Sequence, residues 1–207
     1  MLGSVASRLR LPAIEEGEIR RRLVHASGSG LPLLYVLGAP YGVTWEIVQA
    51  AAVLVLAITL VLEFLRLQVG LNWRIYDELT REYEQDSVAG YALYAVGMAV
   101  VALAFPPEIA IPAMLMLAIG DPVGGILGSA GPGTAKRGPV LAVVFLVCFG
   151  LAVPFVDPLV AAVGGLVAAI ADGVTPVVGD YVIDDNLTIP IGAGVVMYLA
   201  TTFLPVV

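Results

Sequence analysis

Long stretches without a charged residue are the feature that most restricts how this chain can fold. The uncharged stretches cover residues 26 to 45, 47 to 62, 88 to 107, 109 to 120, 122 to 135, 138 to 156, 158 to 171 and 187 to 207. A helix needs roughly 20 residues to cross about 30 Å of hydrocarbon, and most of these stretches reach that length with their interfacial ends. Only 13% of the residues are charged, against about 25% in a soluble domain. The sequence therefore predicts an integral membrane protein.

We expect an all-α, polytopic fold of about seven transmembrane helices. The predicted helices cover residues 23 to 41, 43 to 65, 88 to 106, 108 to 128, 138 to 156, 158 to 175 and 187 to 206. They form one domain, residues 23 to 207, after a polar N-terminal segment, residues 1 to 22.

The positive charges predict the orientation of these helices. All ten Lys and Arg lie on one side of the predicted membrane, which comprises residues 1 to 22 and the loops 66 to 87, 129 to 137 and 176 to 186. By the positive-inside rule that side is the cytoplasm. We therefore expect a multi-pass protein of the cell membrane with a cytoplasmic N-terminus, and with most of its polar chemistry on the cytoplasmic face.

Charge balance and cysteine content exclude several classes of protein. Seventeen Asp and Glu against ten Lys and Arg give a net charge of −7, so no basic surface is large enough for nucleic acid. Cys148 is the only cysteine, which excludes an intramolecular disulfide and a Cys-based metal site. Residues 1 to 22 lack an apolar segment and so do not form a cleavable signal peptide.

A first polar cluster precedes the first predicted helix. Glu18, Arg21, Arg22 and His25 follow one another at i, i+3, i+4 and i+7. That spacing places a carboxylate, two guanidiniums and an imidazole on one helical face, where they could bind a phosphate. The alternative is an ordinary positive-inside anchor whose arginines extend to lipid headgroups.

Glu63 and Arg66 lie one turn apart at the cytoplasmic end of the second predicted helix. An ion pair at this spacing is typical of a stop-transfer anchor. The mixed-charge loop that follows indicates a short amphipathic helix at the surface.

The most informative stretch covers residues 117 to 128, where Asp121 interrupts an apolar run. An acidic residue inside a membrane helix is costly, which makes it a candidate functional residue. Pro122 disfavours α geometry at Asp121, so we expect the helix to break there, with Asp121 as the N-cap of a half-helix. The freed amides would suit phosphate oxygens, with the close approach of a ligand permitted by Gly120, Gly124, Gly125 and Gly128. The alternative is a small-residue stripe for helix packing.

A glycine-rich loop follows this stretch and carries the only lysine, Lys136, next to Arg137. Its spacing approaches a Walker A loop, but Thr134 stands where that loop requires lysine, so we reject a P-loop. Lys136 and Arg137 remain candidates for contact with a triphosphate.

Adjacent carboxylates and an amide precede the last predicted helix, at Asp184, Asp185 and Asn186. These hard oxygen ligands suit Mg²⁺, and carboxylates at a helix N-terminus are stabilised by its dipole. A solvated helix cap is the alternative. Asp172 is a further acid within an apolar run on the same side.

Three ordered motifs together resemble the family of dolichol kinase, phytol kinase and CTP-dependent diacylglycerol kinase. They are Glu-x-x-Arg-Arg-x-x-His, Gly-Asp-Pro-x-Gly-Gly-x-x-Gly and Asp-Asp-Asn-Leu-Thr-Ile-Pro, spread over residues 18 to 195 on a frame of seven predicted helices. The resemblance implies transfer of the γ-phosphoryl group of CTP to a membrane lipid alcohol, such as a polyprenol, dolichol, diacylglycerol or archaeol-type lipid. A Lys-Ser/Thr-x-Glu-Gly segment typical of the family is absent, because the chain reads Lys-Arg-Gly-Pro from residue 136.

The resemblance also implies roles for individual residues. The residues matched to catalysis are Arg21, Arg22, His25 and Asp121. Nucleotide binding is expected from Gly120, Gly124, Gly125, Gly128, Lys136, Arg137 and Asn186. Mg²⁺ is expected on Asp121 together with Asp184 or Asp185.

Other functions fit the same residues. A CTP-dependent cytidylyltransferase that makes a CDP-lipid needs the same metal and phosphate sites, with attack at the α-phosphorus instead. A small transporter would place Asp121 and Asp172 along an ion path. A transporter predicts acids spread across the depth of the bilayer, whereas here they gather on the cytoplasmic side, which favours an enzyme at the interface.

Overall fold

A computed structural model describes residues 16–80, 84–128, 134–174, 176–178 and 181–203. Within those ranges the chain forms ten α-helices: α1 Glu16–Ser27, α2 Gly30–Gly38, α3 Trp45–Phe64, α4 Arg74–Leu79, α5 Gly90–Ala104, α6 Pro107–Leu115, α7 Asp121–Leu127, α8 Gly138–Ala152, α9 Pro158–Gly173 and α10 Asp185–Phe203. A two-residue antiparallel hairpin, β1 Val177–Val178 with β2 Tyr181–Val182, joins α9 to α10. Residues 1–15 of the polar N-terminal segment and residues 129–133 of the glycine-rich loop lie outside the described residues.

Among the described residues the regular structure is helical apart from that hairpin, and three helical segments are long and apolar enough to cross a membrane. They are Trp45–Val69, Pro107–Leu127 and Asp185–Phe203. Gly90–Ala104, Gly138–Ala152 and Pro158–Gly173 are apolar but shorter. The predicted helix over residues 23 to 41 is divided between α1 and α2, because Gly28, Ser29 and Gly30 all have poor helix propensity.

The segment Pro107–Leu127 forms the centre of the molecule. Over its most apolar 18 residues, 78% are buried, against 17% for Trp45–Val69. It packs against α5, α8 and α10, and α9 packs in turn between α8 and α10. The outer segment Trp45–Val69 therefore presents most of its apolar surface outward, as a lipid-facing helix does.

The predicted helix break before Asp121 is wrong. The dihedral angles of Gly120 and Asp121 are both helical, and a π-helical turn, Met116–Gly120, joins α6 to α7 without interruption. In this turn the Asp121 amide bonds to the carbonyl of Met116, five residues back. In a π turn each amide donates to the carbonyl five residues back instead of four. This change in pairing lets the helix accommodate Pro122, which has no N–H.

Glu63 and Arg66 form a buried pair that does more than anchor a helix end. The Arg66 guanidinium donates to both Glu63 carboxylate oxygens, at 3.0 and 2.7 Å, and to the backbone carbonyls of Glu84, Gln85 and Ser87. Glu63 also accepts from the Ala89 amide at 2.7 Å and from the Tyr91 hydroxyl. The pair therefore fastens the C-terminal end of α3 to the segment that enters α5.

Replacing Glu63 by alanine should destabilise the protein by about 3 kcal/mol, because a buried guanidinium loses its carboxylate. The double variant Glu63→Leu/Arg66→Met should be more stable than Glu63→Ala, since it removes both charges together. Unfolding by denaturant in detergent micelles measures both. Gln68→Ala, at an exposed position one turn further on, is the matched control and should change stability by less than about 0.5 kcal/mol. A Glu63→Ala protein as stable as the parent would show that the pair is not structural.

Candidate functional site

Several helix ends meet at one end of the bundle and carry most of the polar side chains that the sequence singles out. Asp121 begins α7, Asp185 begins α10, and Asp172 lies in the last turn of α9. Carboxylate oxygens of these three residues lie within 4.8 Å of one another. The site is therefore built by residues far apart in the sequence, which the packing of α7, α9 and α10 brings together.

Asp172 is the most deeply buried member of this acidic cluster, with 1% of its surface exposed. Its Oδ1 accepts from Lys136 Nζ at 2.7 Å, and the other oxygen, Oδ2, has no hydrogen-bond partner among the described residues. A Cβ on Gly124 would collide with this carboxylate. The absent side chain of Gly124 therefore makes room for Asp172, and Oδ2 of Asp172 is left able to contact a water, an ion or a ligand.

Lys136 reaches Asp172 because the loop before α8 is tied to the end of α9. The Lys136 amide donates to the carbonyl of Gly173 at 2.9 Å, and Ala135 pairs with Val174 in an antiparallel bridge. The ion pair is secluded, with 8% of the lysine side chain and 1% of the aspartate side chain exposed. The only lysine of the chain thus neutralises part of the charge of the acidic cluster.

His25 of α1 contacts Asp121, another member of the acidic cluster. Its Nε2 lies 3.1 Å from the carbonyl oxygen of Leu117 and 3.3 Å from Oδ2 of Asp121. A carbonyl oxygen can only accept, so this arrangement requires the hydrogen on Nε2. In a continued π turn the amide of residue 122 would donate to the carbonyl of Leu117, but Pro122 has no N–H. The carbonyl oxygen of Leu117 therefore lacks this backbone donor, and His25 donates to it instead.

Arg22 also binds backbone close to Pro122. Its Nη1 donates to the carbonyl oxygen of Pro122 at 3.2 Å, and a Cβ on Gly125 would collide with the guanidinium. Arg21 is half-buried on the same helix. The side chain of Glu18, the first member of the predicted cluster, lies outside the described residues.

Asp184 and Asn186 have a different arrangement from the predicted metal site. Oδ1 of Asp184 accepts from the amide of Asn186 at 2.9 Å and from its side-chain Nδ2 at 2.6 Å. Asp184 therefore caps the start of α10, and Asp172 occupies the position in the acidic cluster that we predicted for Asp184. The side-chain oxygen of Asn186 is buried and has no partner among the described residues.

The other predicted nucleotide-binding residues lie around this end of the bundle. Gly120 is buried, and a Cβ added at this residue would lie 2.7 Å from Sγ of Cys148. Such a close contact between helices is expected of a glycine that serves packing. Gly128 ends α7, and the exposed Arg137 immediately precedes α8. These residues surround the acidic cluster, but the described contacts bring only Lys136 into it.

Sequence reasoning undervalued two residues. Asp172 stands out in the sequence only as an acid in an apolar run, whereas adjacent Asp184 and Asp185 form the more familiar pattern of metal ligands. Glu84 is buried, with 4% of its surface exposed, and lies beside Asp184 and Asn186 around Gly90. Its loop shows no spacing that could have revealed this.

The acidic cluster can bind a hard cation. It offers carboxylate oxygens from Asp121, Asp172 and Asp185 at mutual distances that one ion can span. Divalent metals of this kind keep several waters and share the remaining positions with substrate phosphates.

Comparison with known proteins adds no relatives. No family model matches the chain, and no curated protein or solved structure matches it. The acidic cluster and the sequence motifs are therefore the basis on which a function can be assigned.

The cluster predicts which carboxylates bind a divalent cation. Asp172→Asn should weaken Mn²⁺ binding by about tenfold or more, as loss of metal-site contacts does, whereas Lys136→Met should strengthen it because a competing positive charge is removed. Titration with Mn²⁺ followed by electron paramagnetic resonance measures both. Asp184→Asn is the matched control, because it keeps the capping oxygen and should leave the affinity unchanged. A loss of binding in Asp184→Asn but not in Asp172→Asn would reverse the assignment.

Proposed function

We propose that this protein is a membrane-embedded, metal-dependent phosphotransferase that moves the γ-phosphoryl group of CTP to a lipid alcohol. The observation that carries the proposal is the cluster of Asp121, Asp172 and Asp185, in which Asp172 is buried and one of its oxygens lacks a partner among the described residues. The donor and the acceptor class come from the sequence resemblance.

Mg²⁺ is the cation proposed for this cluster, where it would neutralise charge on the β- and γ-phosphates. Asp121, Asp172 and Asp185 would hold it, which replaces Asp184 of the sequence prediction by Asp172. The fit is supported by the donor set, since all three ligands are carboxylates, and by the room that Gly124 leaves beside Asp172.

Positive side chains would neutralise the transferred group. Lys136 is already within the cluster through its 2.7 Å contact with Asp172. Arg22 lies against the start of α7 through Pro122, with Arg21 beside it on α1. In phosphoryl transfer most of the catalytic effect comes from such positioning and charge stabilisation, so these cations are suited to bind the β- and γ-phosphates.

The reaction forms a bond between the acceptor oxygen and the γ-phosphorus and breaks the bond from that phosphorus to the β–γ bridging oxygen. The products are a lipid phosphate and CDP, and the hydroxyl proton passes to a base. Nε2 of His25 already carries a hydrogen in the described arrangement, so this nitrogen does not serve as the base. We assign His25 to positioning Asp121, through the 3.3 Å contact between them.

A labelling experiment tests the reaction. The purified protein in lipid vesicles with Mg²⁺ receives a mixture of polyprenols, diacyl or diether glycerols and the phosphates of these alcohols, together with α-labelled CTP, γ-labelled CTP or γ-labelled ATP. We expect label in lipid from γ-labelled CTP only. Label from the α position would instead identify a cytidylyltransferase, and transfer from ATP would correct the donor. The absence of lipid labelling with every donor would contradict the proposal and favour transport.

Asp121→Asn is the inactive control for this assay. It should reduce turnover to background while the protein stays folded, because the substitution removes a metal-ligand charge without changing the shape of the side chain. Full activity in Asp121→Asn would contradict the metal assignment.

We further propose seven membrane crossings with a cytoplasmic N-terminus. The first crossing covers residues 23 to 41, which include the end of α1 and all of α2. The other six are α3, α5, α6 with α7, α8, α9 and α10. This topology places the acidic cluster on the side where a cell keeps nucleoside triphosphates, and it is supported by the positive charge of that side.

Cysteine labelling of intact cells tests the orientation. Single cysteines at two exposed positions, Gln85→Cys and Thr44→Cys, lie on opposite sides in the proposed topology. A membrane-impermeant maleimide should modify Thr44→Cys directly and Gln85→Cys only after permeabilisation. The native Cys148 is buried and serves as the background control. The reverse labelling pattern would invert the topology.

A further inference from the structure

An apolar cleft of about 360 Å³ lies between the α1–α2 corner, α3 and α5. Its volume is within the range of small-molecule sites, about 300–1,000 Å³. The described residues that line it include no charged side chain, and Ser27 and Tyr94 supply its few polar groups. The chemistry of the lining therefore suits a hydrocarbon chain with a small polar end.

One rim of the cleft faces outward. Leu34 of α2 and Val55 of α3 line it and are 41% and 48% exposed. They lie on helices whose apolar surface is mostly uncovered, and in the proposed topology that surface meets lipid. The cleft is thus open to the acyl region of a bilayer.

One lining residue of the cleft, Tyr94, lies next to the polar end of the bundle. Tyr94 lines the cleft and packs edge-on against His25, with 4.4 Å between ring centroids. Its hydroxyl donates to the carbonyl of His25 at 3.1 Å. His25 in turn contacts Asp121. Tyr94 and His25 therefore connect the lining of the apolar cleft to Asp121, one of the proposed metal ligands, through direct contacts.

Small residues create the space. Ala52 of α3 and Ala95 of α5 are buried in its floor, and Gly30 at the start of α2 lies at its edge. A Cβ on Gly30 would meet no atom within 4 Å. The space beside Gly30 is therefore open, and a larger side chain can enter it without disturbing the packed helices.

We infer that this cleft binds the hydrocarbon chain of the acceptor alcohol and presents its hydroxyl end at Ser27 and Tyr94, next to the proposed phosphoryl-transfer site. The inference rests on the proposed function and names the surface that selects a lipid acceptor. The continuity from a lipid-facing rim, through an uncharged cleft, to His25 and Asp121 supports a long-chain alcohol over a water-soluble acceptor.

Photo-crosslinking tests the cleft without requiring turnover. The full-length protein in nanodiscs is irradiated with a long-chain primary alcohol that carries a diazirine in mid-chain, and the adducts are mapped by mass spectrometry. We expect adducts at the buried cleft residues Ala95 and Met98, competed by unlabelled alcohol. A diazirine phosphatidylcholine should not give these adducts. Equal labelling by that phospholipid would mean annular lipid only and would overturn the inference.

Gly30→Leu adds a bulky side chain at a residue that lines the cleft and supplies the matched test of function. It should reduce the cleft adducts by about tenfold and raise KM for the long-chain alcohol by a similar factor, with KM for CTP unchanged. Gly150→Leu is the control, since Gly150 on α8 is exposed, is equally free of neighbours within 4 Å and does not line the cleft. Adducts and KM unchanged in Gly30→Leu would overturn the inference.

The two proposals fail separately. If the γ-phosphoryl group is transferred but the adducts map outside the cleft, the kinase proposal stands and the proposed binding of the alcohol in the cleft is rejected. Competed cleft adducts without transfer from any nucleotide reject the kinase and leave an alcohol-binding cleft.

Discussion

The negative charge of a carboxylate buried among apolar helices must be compensated by positive charge. The arrangement of side chains around the acidic cluster depends on how the charge of Asp172 is compensated. Its only described ion pair is with Lys136, which is delivered by a loop tied to the end of α9. Removing the lysine alone would leave a charge whose desolvation costs several kcal/mol, about as much as breaking a buried pair elsewhere. Asp121 and Asp185 add negative charge to the same place. Such an arrangement is stable when a cation balances it, and this electrostatic demand is the physical basis for the proposed metal site.

The second determinant is a proline rather than a charge. Pro122 cannot donate a backbone hydrogen bond, and the π turn before it changes the pairing of carbonyls inside the most buried segment of the bundle. His25 meets the carbonyl of Leu117, and Arg22 meets that of Pro122. Backbone carbonyls of the π turn and of α7 thus bind the polar side chains of α1. Backbone chemistry in this way positions side chains that the proposed reaction needs.

The sequence made the helical membrane class predictable, because apolar runs of spanning length leave few other solutions. It also indicated Asp121, since an acid within such a run is costly. It misjudged two points for physical reasons. A proline predicts a helix break from local sterics alone, yet a π turn relieves the clash. Adjacent Asp184 and Asp185 resemble a ligand pair, yet consecutive residues at a helix start point in different directions, so Asp184 caps the helix while Asp172 on α9 joins the cluster. Such contacts between distant segments depend on packing and cannot be inferred from spacing.

The links between α3 and α5 determine how a hydrocarbon chain could enter the apolar cleft. Glu63 and Arg66 fasten one end of α3 to the entrance of α5, and Gln49 near the other end donates to the carbonyl of Ala102 at 2.9 Å. Because these two helices are joined at both ends, they cannot spread apart without breaking buried polar contacts. A chain that enters from the bilayer therefore passes between Leu34 of α2 and Val55 of α3, at the open rim of the cleft, and not between α3 and α5.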